Sequence, residues 1–75
     1  MFQDIQKGEI MNRVKELRIA AKMTQADLAK QLDITTPSIT KWEQGRSNPE
    51  LANAFKLADI FGVTLDYLLG RSASA

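Results

Sequence analysis

The sequence predicts an all-α domain of five short helices, and three observations carry that expectation. Apolar residues recur at three- and four-residue spacing in successive segments, and no segment alternates with the two-residue period of a strand. Helix-capping residues and Gly45, Gly62 and Gly70 punctuate those segments. The chain has 75 residues, 44% of them apolar, with no Cys and no His. One small core must therefore hold it, without disulfides or the usual zinc ligands.

The first helix is expected over residues 10–21, where Ile10, Val14, Leu17 and Ala21 make an apolar stripe beside Arg13, Lys15 and Glu16. Residues 1–9 read as a flexible N-terminal segment, with Met11 as an alternative start. "MTQADLAKQL" supplies Thr24 as a cap and Asp27 as its capping-box partner, with Leu28, Ala29 and Leu32 buried. A third helix is capped by Thr35 or Thr36, holds Pro37 in its first turn, where no intrahelical donor is needed, and ends near Gly45. In "SNPELANAFKLADIFG", Asn48 caps, Pro49 opens and Gly62 closes a fourth helix with the stripe Leu51, Ala54, Leu57, Ala58 and Phe61. Thr64 caps a last short helix, "LDYLL", stopped by Gly70. The domain is thus expected over 10–70, with 71–75 as a flexible C-terminal tail.

Only Asp33, Ile34 and a capping residue separate the second and third helices. So short a link forces a sharp crossing, the helix-turn-helix geometry. Ala29 is small where the two helices approach, and Asp33 tolerates the left-handed backbone such a turn needs. Leu28, Leu32, Ile34, Ile39 and Trp42 form the expected inner wall. On a wheel with Ile39 at the origin, Trp42 falls near 300° and Glu43 near 40°, both on the buried side. Pro37, Thr40, Lys41 and Gln44 gather between roughly 100° and 200°. An outward polar face is ordinarily just solvated; it becomes a reading surface when its flanks belong to a nucleic-acid-binding module.

From about Arg13 to Gly70 the chain resembles the lambda-repressor/Cro-like, or XRE-type, helix-turn-helix DNA-binding family. The resemblance rests on "TQADLA", "SITKWEQGRSNP" and "FGVTLDYLLG", in that order and spacing. It implies a five-helix lambda-repressor-like domain whose third helix enters the major groove, as a dimer on a near-palindromic operator. Lys22 and Asp33 stand where the family often has glycine.

The resemblance sets the third helix against the bases, which selects Thr36, Pro37, Ser38, Thr40 and Lys41 as base contacts. Lys41 suits guanine O6 and N7, and Thr or Pro carbons suit a thymine methyl. Gln25, at a helix start where free N–H groups favour an anion, matches the family's phosphate-contacting position. Thr24, Thr35, Gln44, Arg46, Ser47 and Asn48 are further phosphate candidates, with Asn48 equally suited to a purely capping role. Arg18 and Glu43 border apolar stripes, where unpaired charges are costly, and the resemblance makes them a structural ion pair. Trp42 lies on the inner side and reads as core rather than as a stacking platform. Ile60 falls away from the fourth helix's apolar arc; with Tyr67 and Leu69 it is a candidate for a dimer interface, which the resemblance places in the region of the last two helices.

Charge divides along the chain in keeping with this reading. Residues 13–46 hold seven basic and four acidic side chains, and the rest hold three and five. Absent His and Cys, a phosphate-cradling Gly-rich loop and paired carboxylates exclude the common enzyme chemistries, and no cofactor, metal or small-molecule ligand is expected. The sequence also carries no membrane-span or secretory pattern, so a cytoplasmic, nucleoid-associated protein is expected. The function expected is a sequence-specific transcriptional regulator of bacterial or prophage repressor type, binding double-stranded DNA as a homodimer that is weak without DNA. Two alternatives stay open: a protein-interaction module such as an antitoxin of the same fold, and the DNA-binding half of a longer regulator.

Overall fold

A computed structural model describes residues 12–71 and 73. These residues form α1 (Val14–Ala20), α2 (Gln25–Leu32), α3 (Thr36–Glu43), α4 (Leu51–Phe61) and α5 (Leu65–Leu68), and no strand occurs among them. At four to eleven residues each, these helices are too short to persist alone. Their ends and their shared core must supply the stability.

The starts differ in quality. Thr24 Oγ1 accepts the Asp27 amide at 2.9 Å while Asp27 Oδ2 accepts the Thr24 amide at 3.0 Å, a complete capping box for α2. Thr64 likewise caps α5 by accepting the Tyr67 amide. Thr35 occupies the N-cap of α3, but its hydroxyl meets Ser38 Oγ at 3.2 Å rather than a backbone amide.

All five helices of the described residues end alike. A left-handed residue follows each one: Lys22, Asp33, Gly45, Gly62 and Gly70, with φ between 59° and 77°. The next residue's amide then reaches back five positions, as in Met23 to the Arg18 carbonyl and Ile34 to the Ala29 carbonyl. This is the Schellman closure, which satisfies the last carbonyls. It also turns the chain sharply enough to seat α3 against α2 after only Asp33, Ile34 and Thr35.

The core comprises Val14, Leu28, Ala29, Leu32, Ile39, Trp42, Ala54, Leu57, Ala58 and Leu68, with Leu17, Met23, Ile34, Ile60, Phe61, Val63 and Leu65 packed around it. Asn12 and Arg13 tie the entrance of α1 to distant elements. Asn12 Nδ2 donates to the Trp42 carbonyl, the Arg13 amide and Nε donate to the Leu68 and Tyr67 carbonyls, and the Arg13 guanidinium lies 4.3 Å over the Tyr67 ring.

Several expectations need correction. Among the described residues α1 begins at Val14, because Asn12 Oδ1 accepts the Val14 amide and holds the chain in a turn just before it. Ile10, residues 1–9 and Met11 lie outside the described residues, as do residues 72, 74 and 75 of the expected tail. Ala21 is exposed, since α1 has already ended there. Asn48 does not cap α4: the N-cap is Glu50, without a side-chain bond, and Pro49 is buried in the extended approach instead of opening the helix. Leu51, now the first residue of α4, is 62% exposed although it belonged to the expected stripe, and the buried arc of α4 begins at Ala54.

Lys22→Gly should raise stability by about 0.5–1 kcal/mol in urea melts. A left-handed non-glycine residue costs roughly 1–2 kcal/mol, and glycine's extra unfolded-state entropy returns about half of that. The exposed Lys22 side chain has no contact to lose that would offset the gain. A second expectation concerns pH. Hydrogen bonds from the Thr24 backbone and side chain hold the Asp27 carboxyl below its usual value. A depressed folded value contributes stability above the unfolded value, about 3.9, which is lost as pH falls through the folded value. The stability gap between wild type and Asp27→Asn should hold constant from pH 7 to about 5 and shrink below about pH 4.

Candidate nucleic-acid interface

Three faces of α3 do different work. Ile39 and Trp42 are buried in the core. Pro37, Lys41 and Gln44, spaced by four and three residues, are exposed as one stripe. Thr36, Ser38 and Thr40 lie half-buried along the two margins.

The margin facing α2 carries a continuous polar network. Glu43, whose side chain is only 4% exposed, accepts Arg18 Nε on Oε2 at 2.6 Å and Arg18 Nη2 on Oε1 at 3.1 Å. Arg18 Nη1 donates to the Met23 carbonyl at 2.8 Å. Gln25 Nε2 adds a bond to Glu43 Oε1 at 3.0 Å, and Thr40 Oγ1 donates to Gln25 Oε1 at 2.8 Å. The hydrogen bond to Glu43 leads in holding the Arg18 guanidinium above its already high ordinary value; desolvation opposes it and the Glu43 charge adds to it. Buried charges survive when paired and fully hydrogen-bonded, which is the condition met here.

The opposite margin borders an open depression of about 490 Å³ lined by Ile34, Ser38, Lys41, Trp42, Ser47, Asn48, Glu50 and Asn53. Four of the expected contact residues, Ser38, Lys41, Ser47 and Asn48, thus share one concavity. Thr24, Thr35, Gln44, Arg46, Ser47 and Asn48 are all exposed, and Arg46 Nη1 donates to Gln44 Oε1 at 3.2 Å. The capping box uses the Asp27 amide, which leaves the Gln25 and Ala26 amides at the start of α2 without an intrahelical acceptor.

Thr40, expected at the edge of the outward block, is half-buried, and its hydroxyl turns toward α2. Ile60 is half-buried and packs on the core, where an exposed residue was expected. Tyr67 and Leu69 are half-buried as well. Three features had no signal in the sequence: the Asn12–Arg13 clamp, the Met23 carbonyl as an arginine acceptor, and the engagement of Gln25 at both ends of its amide.

A family model described as helix-turn-helix matches residues 14–68. The chain belongs to the helix-turn-helix family. Several relatives are named as HTH-type transcriptional regulators or repressors, and the family is one of DNA-binding regulators rather than enzymes. An uncharacterized HTH-type transcriptional regulator of Methanocaldococcus jannaschii is 40% identical over 55 residues, covering 73% of this chain and 83% of that protein. The cryptic phage CTXphi transcriptional repressor RstR of Vibrio cholerae is 35% identical, covering 88% of this chain and 59% of the repressor. The HTH-type transcriptional activator BcrR of Enterococcus faecalis is 34% identical, and the chain spans 81% of its own length but 30% of the activator. The crystal structure of a hypothetical transcription factor from Neisseria shares the fold, with a TM-score of 0.68 at 23% identity, covering 92% of this chain and 85% of that one. Among the described residues no helix is long and apolar enough to cross a membrane.

Arg18→Ala leaves the Glu43 carboxylate buried beside Gln25 alone and should cost about 3–5 kcal/mol in urea melts. A loss under about 0.5 kcal/mol, the range of ordinary surface substitutions, would show that the pair is structurally idle.

Proposed function

We propose that the chain is a sequence-specific regulator of bacterial or prophage repressor type, placing α3 in the major groove of double-stranded DNA as a homodimer. The observation that carries this reading is the exposed Pro37–Lys41–Gln44 stripe, on a helix whose other two sides are fixed by the core and by the Glu43 network. A solvated face needs no such fixing, whereas base readout needs side chains held in register. Thr36, Pro37, Ser38, Thr40 and Lys41 face the bases in this reading. Thr24, Gln25, Thr35, Gln44, Arg46, Ser47 and Asn48 hold the flanking phosphates, aided by the free amides at the start of α2. Regulation is by occupancy: the bound dimer covers an operator. Pairing runs through the α4–α5 end with Ile60, Tyr67 and Leu69, each of which keeps surface for a second copy. A cytoplasmic location at the nucleoid follows from the same reading.

Enrichment of a random duplex library at about 150 mM salt, which suppresses much nonspecific binding, tests it. The expected product is an inverted repeat with half-sites about one helical turn apart. Lys41→Ala should then relax one base position per half-site, at a cost of roughly 1–3 kcal/mol. Failure to enrich any sequence would overturn the reading and direct attention to a protein partner for α3.

A further inference from the structure

The polar network at the α2–α3 junction fixes the direction of each proton in it, and that direction reaches the edge of the reading face. A guanidinium only donates and a carboxylate only accepts, so Arg18 supplies protons to Glu43. Glu43 Oε1 remains an acceptor, 3.0 Å from the Gln25 amide nitrogen. Turned the other way, that amide would set its oxygen against a carboxylate with no proton between them. Gln25 therefore donates to Glu43 and points Oε1 away from it. Thr40 Oγ1 lies 2.8 Å from this oxygen and must give it the single hydroxyl proton. The competing acceptor, the Thr36 carbonyl, is farther off at 3.3 Å. What the Thr40 hydroxyl has left is lone pairs.

We infer that Thr40 is a specificity-determining residue that accepts a hydrogen bond from an exocyclic base amine, adenine N6 or cytosine N4. Glu43 and Gln25 are positioning residues that set its polarity. The inference rests on the DNA reading proposed above and deepens it. A free threonine hydroxyl rotates to suit either donors or acceptors, so it discriminates poorly. Pinned by Gln25, the Thr40 oxygen repels the guanine O6 and thymine O4 keto oxygens and attracts the amines. Each base pair carries its amine and its keto oxygen on opposite strands. The signature is therefore a two-base preference on one strand: A or C over G or T, with A and C nearly equal.

The test uses the full chain on its own enriched operator, with each position of a half-site permuted singly and binding read by fluorescence anisotropy. Wild type should show one position where A and C bind within about twofold of each other and roughly fivefold tighter than G or T. Thr40→Val, isosteric but without the hydroxyl, should flatten that position to within about twofold and leave the base ranking elsewhere unchanged. Thr40→Ser should restore the preference. If valine disturbs α3, as judged by circular dichroism, Thr40→Ala gives the same readout. The inference is overturned if removing the hydroxyl changes no position, or changes one at which wild type prefers G or T. An operator that enriches while Thr40 proves silent sinks this inference alone. A wild-type protein that enriches no duplex sinks the DNA reading and this inference with it.

Discussion

Glu43 closes α3 with a carboxylate that two other helices must reach. Arg18 arrives from α1, Gln25 from the start of α2, and Arg18 in turn holds the Met23 carbonyl in the turn between those helices. A carboxylate only 4% exposed would otherwise carry a desolvation cost of several kcal/mol, a large fraction of what a chain this size can hold in reserve. Three donors on two oxygens offset that cost, two from Arg18, 25 positions away, and one from Gln25, 18 positions away. Well-packed apolar residues could stabilise the same space as well or better, but they would not demand one orientation. The bridge thus specifies how α3 lies across α2 more than it adds net stability.

Such specification matters because the elements have little persistence of their own. α5 is one turn and α3 about two. Their ends are governed by a repeated device, a left-handed residue followed by a back-reaching amide. Three of those positions are glycine; at Lys22 and Asp33 the fold accepts backbone strain in its two tightest turns. Those turns flank α2, the helix whose start faces the network, so strain and bridge act on the same element. The closures set the direction of each chain reversal, and the Arg18–Glu43 pair selects the rotation of α3 within it.

How legible this was depends on the range of the forces involved. Leu28, Leu32, Ile39, Trp42, Leu57 and Leu68 are buried because their spacing leaves no other face for the core, and spacing is a local property. The Thr24 capping box and the turns at Asp33 and Gly62 are equally local. Arg18 with Glu43 was legible only through family resemblance, since nothing near either residue names the other. Thr40 stands at about 100° on the helical wheel, on the border between outward and lateral. An amide fifteen positions away decides its orientation, and no window around Thr40 contains that information. Asn48 and Pro49 misled because a cap-and-proline pair ordinarily starts a helix. Here the proline is buried in the extended approach and α4 begins two residues later, with Leu51, its first residue, on the surface.

The same long-range constraint divides the proposed reading face into two kinds of side chain. Thr40 and Gln25 are pinned before any ligand arrives, so ordering them adds little to the entropic cost of association. Arg46 is exposed and long, with a charge that acts over a Debye length of about 8–10 Å and fades with salt. Attraction and discrimination then rest on different residues. In the proposed DNA reading such an exposed cation draws the protein to any duplex, through a salt-sensitive term that carries no sequence information. The pinned polar groups penalise a wrong base edge, because a fixed lone pair cannot rotate away from a keto oxygen. Exchanging the charge at Arg46 should therefore move affinity for all sequences together, whereas loosening the Glu43 network alters the preference among them.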